Sequence, residues 1–182
     1  IVSGVATFLL TNLINKPRNE ETIDVFVVSS SFDRSKFYSF LNENKPDYLR
    51  EINLNNIKPD SKDYNLLYSS FGKDDADIVI LPKTNINEDV VLSYYSVLNT
   101  EYVNSKINDP KFYSIDINNN QYNFGIKIKD KNQNSDFFDI DDKTDDEYYV
   151  FFGSKSIHAG MNNSSIWNTS LDFVNILVNY GK

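Results

Sequence analysis

DADIVILPK at residues 75–83 and IDVFVVSSS at residues 23–31 are two apolar runs of the same kind. Each is rich in β-branched residues, is too short for a helix and is closed by polar residues or proline. Such runs are typical of strands that are buried on both faces, and these strands belong to parallel sheets covered by helices. Residues 32–72 leave room for two helices and one more strand. The pattern therefore predicts a βαβαβ unit.

The remaining sequence extends this unit into an α/β domain over residues 22–182, with a central mixed, mostly parallel sheet flanked by helices. Alternating residues on either side of Asn118, Asn119 and Asn120 indicate a hairpin, and residues 130–147 are acidic and predict a surface loop. We expect helices at residues 32–45, 63–71, 87–104 and 165–180, and strands at residues 23–28, 48–57, 77–81, 111–117, 121–128 and 148–152.

Composition excludes several classes of function. The chain has 182 residues and a net charge of −8, so we expect no nucleic-acid partner, because nothing could neutralise a run of phosphates. It has no cysteine, which excludes disulfides, thiol chemistry and thiolate zinc sites. With 13 Phe and 12 Tyr, it has ample aromatic side chains for a folded core.

Residues 1–14, IVSGVATFLLTNLI, are the most apolar segment, and a polar run follows them. A helix needs about 20 apolar residues to span a bilayer. If further apolar residues precede Ile1, we expect residues 1–18 to form the outer half of a signal-anchor helix. The alternative is an ordinary buried helix or strand of the domain.

The predicted binding site lies where the buried strands end. Parallel sheets bind ligands at the carboxyl ends of their strands. These ends carry hydroxyl, ammonium and imidazole groups, which predict a binding rim formed by residues 29–31, 82–84 and 156–158. The candidate ligand-binding residues are Ser29, Ser30, Ser31, Lys83, Thr84, Ser156 and His158.

The sequence predicts no catalytic residue, metal or cofactor. His158 is the only histidine, and no G-x-S-x-G motif accompanies it, so a structural role is the prediction and a ligand-facing role the alternative. The acidic residues 136–147 lack the glycine and glutamate spacing of an EF-hand, which favours a solvated loop over a calcium site. No glycine-rich phosphate loop is present.

IDVFVVSSS, the helix FYSFLNENKPDY, DADIVILPK and the hairpin YSIDINNNQYNFGIKI resemble the first lobe of the solute-binding proteins of ABC transporters. That resemblance implies the type 2 periplasmic-binding-protein fold, a sugar or peptide as ligand, and a membrane transporter as partner. A member of this family would continue into a second lobe after the hairpin. Too few residues follow here, so the resemblance covers about one lobe.

Two hypotheses of function follow. The first is a non-enzymatic, membrane-anchored binding or transport-accessory protein on the extracytoplasmic face of the cell membrane. The second is a structural or assembly subunit of a membrane protein complex, in which the sheet is a scaffold with no small-molecule ligand. A hydrolase acting through His158 is disfavoured, because the sequence offers no set of nucleophile, base and orienting residue.

Overall fold

The computed structural model describes residues 17–140, 146–158 and 169–180. The strands are β1 (Thr22–Val28), β2 (Glu51–Ile57), β3 (Ile78–Pro82), β4 (Phe112–Ile117), β5 (Asn120–Lys129) and β6 (Tyr148–Phe152). The helices are α1 (Arg34–Asn44), α2 (Tyr64–Leu67), α3 (Glu88–Tyr94), α4 (Thr100–Lys106) and α5 (Thr169–Asn179). Short 3-10 turns cover Asn19–Glu21 and Lys83–Asn85, and a π-helical turn at Tyr68–Lys73 continues α2.

In the described part of the chain, the strands form one six-stranded sheet in the order β2-β1-β3-β6-β5-β4. β1 lies parallel to β2 on one side and parallel to β3 on the other, where Val25 faces Ile78 and Val27 faces Ile80. These pairings confirm the predicted βαβαβ unit. They also confirm that the two apolar runs lie side by side and point the same way.

The sheet is mixed, as predicted, but it is not mostly parallel. Two of its five strand pairings are parallel, and the other three, β3 with β6, β6 with β5 and β5 with β4, are antiparallel. The reason is where β6 begins. The segment that follows β5 enters β6 at the same end of the strands at which β5 finishes. β6 therefore runs in the direction opposite to β5 and to β3.

Helices cover both faces of the sheet. Alternate residues of β1 point to opposite faces, as they must in any strand. Val25 and Val27 pack with α1, α4 and α5 on one face, and Phe26 and Val28 pack with the π-helical turn and α3 on the other. Full burial of one large apolar side chain contributes about 1.5–3 kcal/mol, so β1 is stabilised from both sides.

The predicted helix over residues 87–104 is two helices, α3 and α4. Between them Tyr95 is extended, and the backbone N–H groups of Ser96 and Leu98 donate to the carbonyls of Phe152 and Asn123 at 2.9 and 2.7 Å. These bonds to β6 and β5 replace helical bonds. A second cap then starts α4, because the Asn99 side chain accepts from the N–H of Tyr102.

A helix cap and the predicted hairpin turn are both present. Asp33 caps α1 by accepting from the N–H of Lys36 at 2.9 Å. Asn118 and Asn119 turn the β4–β5 hairpin with positive φ values of 51° and 63°. Asparagine tolerates this left-handed region better than most residues, which explains its presence at both positions.

Residues 130–147 are not simply a solvated loop. Phe137 and Phe138 are 2% and 3% exposed and pack against α1, and Phe138 forms a β-bridge with Phe32. Asp139 is buried as well. The acidic composition of the segment predicted a solvated loop, whereas the burial of these two phenylalanines attaches it to the domain.

The predicted anchor at residues 1–18 lies almost wholly outside the described residues, which begin at Pro17. Among the helices that the structure describes, none has the length and apolar character needed to cross a bilayer. The predicted helix at residues 165–180 is described from Thr169, and Leu171, Val174 and Leu177 are buried, as expected.

Gly153 provides a test of how β6 joins β3. Its N–H donates to the carbonyl of Asp77 at 3.2 Å, and a Cβ on residue 153 would overlap the carbonyl oxygen of Ala76. We expect Gly153→Ala to lower the free energy of unfolding by about 2 kcal/mol, the usual cost of overpacking. Urea unfolding measures this. Ser154→Ala, at the exposed neighbouring position, is the control, and equal stability of the two variants would contradict this packing.

Candidate functional site

The crevice of the parallel unit lies between β1 and β3. The chain leaves β1, passes to β2 on one side and returns to β3 on the other, so the strand order reverses there. Ligands bind such α/β sheets outside the carboxyl ends of the strands at this point. We call the carboxyl ends of β1 and β3 the upper edge of the sheet, and their amino ends the lower edge.

A cleft of about 280 Å³ opens at the upper edge. We call it the upper cleft. The residues that line it include Ser30, Pro82, Thr84, Asn85, Asp139, Asp146 and Tyr148. Two of the predicted site residues, Ser30 and Thr84, therefore lie in one cleft, as the sequence predicted. Its lining is hydroxyl, amide and carboxylate groups around one tyrosine, a set suited to hydrogen bonding with a small polar molecule.

A buried polar network forms the floor of the upper cleft. The Tyr148 hydroxyl donates to Asp139 Oδ1 at 2.7 Å and lies 3.0 Å from Ser29 Oγ. Ser29 donates in turn to the Ser31 carbonyl at 2.9 Å. Burial, and then the carboxylate of Asp139, raise the pKa of Tyr148 well above its usual range. The phenol is therefore a neutral donor at physiological pH.

A buried ion pair supports this floor. Lys129 Nζ lies 3.5 Å from Asp139 Oδ2, and both side chains are 4% exposed. The same ammonium donates to the carbonyl of Asp146 at 2.9 Å. Lys129 ends β5, so the pair ties the segment after β5 to the sheet.

The rim of the upper cleft is held by acidic residues just before β6. Thr84 donates to Asp146 Oδ2 through its hydroxyl at 2.6 Å and through its N–H at 3.2 Å. Lys83, a predicted site residue, pairs with Glu147 at 2.9 Å beside the cleft. Glu147 also accepts from Lys127 at 2.8 Å. Hydrogen bonds from Lys127 and then Lys83 lower the pKa of Glu147 from 4.5 to about 2.

Ser156 and His158 do not belong to this rim, and that part of the predicted site is corrected. β6 runs antiparallel to β3, so the residues after β6 lie at the lower edge. Gly153 there bonds to Asp77, and the Ser156 hydroxyl bonds to the Asp77 carboxylate. The predicted seven-residue site is divided between opposite edges of the sheet.

The lower edge holds a larger groove, of about 790 Å³, which we call the lower groove. Its lining includes Asp24, Asn53, Phe71, Asp77, Ser156 and His158. Asp77 is 6% exposed, and its Oδ2 accepts from the N–H of Asp24 at 2.8 Å. Burial raises the pKa of Asp77, while the hydrogen bond from Ser156 opposes that rise.

The described contacts at the lower edge do not pair the Ser156 hydroxyl with the ring of His158. The Ser156 hydroxyl bonds to Asp77, and it accepts from the backbone N–H of His158 at 3.0 Å. The His158 ring instead meets the carbonyl of Asn19, 3.2 Å from Nε2. Among the described contacts, the group that accepts the Ser156 hydroxyl proton is the Asp77 carboxylate, so the arrangement differs from the serine–histidine pair of a hydrolase.

In residues 17–140, 146–158 and 169–180, no group of three or more His, Asp or Glu side chains is arranged to hold a metal ion.

Sequence reasoning missed Asp139, Tyr148 and Lys129 at the upper cleft and Asp24 and Asp77 at the lower groove. A signal existed for the last two, because each is a carboxylate next to, or within, an otherwise apolar strand. Charged groups in such positions need partners when buried. No comparable signal marked Asp139, which lies in a segment crowded with acidic residues.

Comparison with models of known protein families gave no match, and comparison with curated proteins and with solved structures gave none either. The resemblance to solute-binding proteins therefore remains a prediction, based on short phrases and the order of elements.

The buried ion pair predicts a large loss of stability on removal of its cation. Lys129→Met keeps the length of the side chain but removes the ammonium group that lies beside the buried Asp139 carboxylate. We expect a loss of about 3 kcal/mol, in the range for breaking a buried pair. Chemical denaturation measures it. Lys131→Met, at an exposed position two residues away, is the control, and a loss below about 1 kcal/mol for Lys129→Met would contradict the pairing.

The lowered pKa of Glu147 predicts a pH dependence. Its folded pKa of about 2 is below the ordinary value of 4.5, so its contribution is present above pH 4.5 and is lost as the pH falls through about 2. We expect Glu147→Gln to destabilise the protein by about 1 kcal/mol at pH 7, because solvent weakens charged hydrogen bonds at this partly exposed group. The difference from the parent protein should shrink steadily below pH 4.5. A difference that is independent of pH would contradict the pairing with Lys127 and Lys83.

Proposed function

We propose that this protein is a non-enzymatic binding domain that acts at the extracytoplasmic face of a cell membrane. In this proposal it resembles one lobe of a type 2 periplasmic binding protein, and it captures a small polar solute or assists a membrane transporter. The observation that carries the proposal is the upper cleft, which lies at the point of the sheet where the order of the parallel strands reverses.

The size and chemistry of the upper cleft favour a small ligand. Its volume of about 280 Å³ is at the lower end of the range for ligand pockets, about 300–1,000 Å³. One sugar ring or a very short peptide matches that volume. Hydroxyl, amide and carboxylate groups from Ser30, Asn85 and Asp146 would bond to sugar hydroxyls or peptide amides, and Tyr148 offers an aromatic surface.

One lobe presents an open shelf to its ligand. Solute-binding proteins enclose the ligand between two lobes, which excludes water and strengthens each polar contact. The single sheet described here has no such opposing lobe within residues 17–140, 146–158 and 169–180. We therefore expect weak binding by the isolated chain, and a partner protein would supply the missing enclosure.

The alternative is a structural or assembly subunit of a membrane complex, and one observation favours it. The polar groups of the upper cleft are joined to each other, Thr84 to Asp146 and Tyr148 to Asp139. A network that is satisfied internally also serves to fix the segment after β5 against the sheet, with no ligand required. Attachment to the membrane belongs to both proposals and rests on the sequence of residues 1–18.

A steric block tests the binding proposal. Ser30 is half-buried and lines the upper cleft, so Ser30→Phe would fill much of its volume. In a thermal-shift screen of monosaccharides and dipeptides, we expect a ligand to raise the unfolding temperature of the parent protein, since a ligand at 100 times its Kd adds about 2.7 kcal/mol. Ser30→Phe should abolish the shift.

Ser35→Phe, the same substitution at an exposed position of α1, is the matched control and should retain the shift. A shift that survives Ser30→Phe would contradict binding at the upper cleft. Absence of any shift, together with recovery of a specific partner in a detergent pull-down, would favour the structural alternative.

A further inference from the structure

The lower groove has an excess of negative charge. Five carboxylates line it against two cationic side chains, Arg34 and Lys155. Both cations are already engaged, because Arg34 donates to the carbonyl of Leu54 at 2.9 Å and Lys155 pairs with Asp74 at 3.0 Å. A potential of this sign attracts a cationic ligand.

Asp24 is a carboxylate of the groove that combines partial burial with the lack of an ion pair among the described residues. It is partly buried, and Asn53 donates to its Oδ1 at 3.0 Å. Among the described residues, no lysine or arginine forms an ion pair with Asp24 or with Asp77. Partial burial raises the pKa of Asp24, and the charge of Asp77 adds to that rise against the effect of Asn53. Such a carboxylate gains from an incoming cation more than an exposed one does.

His158 supplies a second, independent observation. It lines the lower groove and is 1% exposed, and its Nδ1 has no hydrogen-bond partner in the described part of the chain. The carbonyl of Asn19 can only accept, so Nε2 donates to it. In the neutral ring Nδ1 is therefore an acceptor. A buried acceptor without a partner destabilises the folded protein, and a donor from a ligand would relieve that cost.

Phe71 adds an apolar surface to the same groove. Its side chain is 43% exposed, unusual for a phenylalanine, and it lies in the π-helical turn Tyr68–Lys73. Asp24, which has no cationic partner among the described residues, and Nδ1 of His158 are both acceptors, and the Phe71 ring lines the same groove. A guanidinium group matches this combination, because it is a planar cation with five N–H donors that stacks on aromatic faces.

We infer that the lower groove binds a guanidinium cation, which donates to the carboxylate of Asp24 and to Nδ1 of His158 and stacks on the ring of Phe71. The cation belongs either to a free arginine-like solute or to an arginine side chain of a partner protein. This inference does not depend on the proposed function, because the upper cleft lies at the opposite edge of the sheet.

The test uses the full chain labelled with nitrogen-15 and titrated with L-arginine amide. We expect saturable shifts at the amides of Asp24 and Asn53 and at the Nδ1 resonance of His158. Citrulline amide, which is similar in shape but neutral, should bind at least tenfold more weakly. A blocked Gly-Arg-Gly peptide identifies the source: tenfold tighter binding of the peptide indicates a protein partner, and equal affinity indicates a free solute.

Two variants separate binding from folding. Asp24→Asn keeps an oxygen for Asn53 and removes an uncompensated charge, so we expect at least a tenfold loss of affinity with an unchanged or higher unfolding temperature. Phe71→Ser should weaken binding by a factor of about 2–5, the usual value of an exposed cation–π contact. Asp116→Asn, at an exposed position of β4, is the control for the change in net charge and should retain full affinity.

Several results would overturn the inference. These are no saturable shift with either arginine probe, equal binding of citrulline amide, or full affinity of Asp24→Asn. Ser30→Phe changes the upper cleft and not the lower groove, so it should bind the arginine probes as the parent protein does. A failure of the proposed function is therefore distinguishable from a failure of this inference.

Discussion

The parallel pairing of β1 with its two neighbours is the constraint on which the rest of the structure depends. β1 contributes apolar side chains to both faces, so helices must cover both. Because β2 and β3 lie on opposite sides of it, the order of the chain reverses between β1 and β3. That reversal leaves a crevice at the carboxyl ends, and it positions the helix-capping and cleft-lining residues around it.

The direction of β6 is the second constraint, because it determines which polar groups meet. β6 enters the sheet at the upper edge, so Asp146 and Glu147 before it join Thr84 and Lys83 at the upper cleft. The residues after it reach the lower edge, where Ser156 bonds to Asp77. One antiparallel strand thus supplies both edges of the sheet with polar side chains, from its two ends.

The two edges differ in how their polar groups are satisfied. At the upper cleft, Lys129, Asp139 and Tyr148 form a buried network in which each group has a partner, and this arrangement contributes to stability. At the lower groove, Asp24 carries a partly buried charge, and Nδ1 of His158 has no hydrogen-bond partner in the described part of the chain. A partly buried charge and an unsatisfied acceptor both reduce stability. A ligand that pairs with such groups removes their destabilising effect in the complex, and this adds to the free energy of binding.

Local pattern alone was sufficient to predict the two parallel strands and the asparagine turn of the hairpin, because burial on both faces and positive φ are imposed by neighbouring residues. The same reasoning placed Ser30 and Thr84 at the same end of the sheet, since each lies two residues after a parallel strand. It could not predict the break at Tyr95, the burial of Phe137, or the separation of His158 from the serine run. The break at Tyr95 and the position of His158 depend on β6 and its direction. The burial of Phe137 depends on packing with α1, which is far away in the chain. No periodicity in the sequence encodes strand direction or such distant contacts.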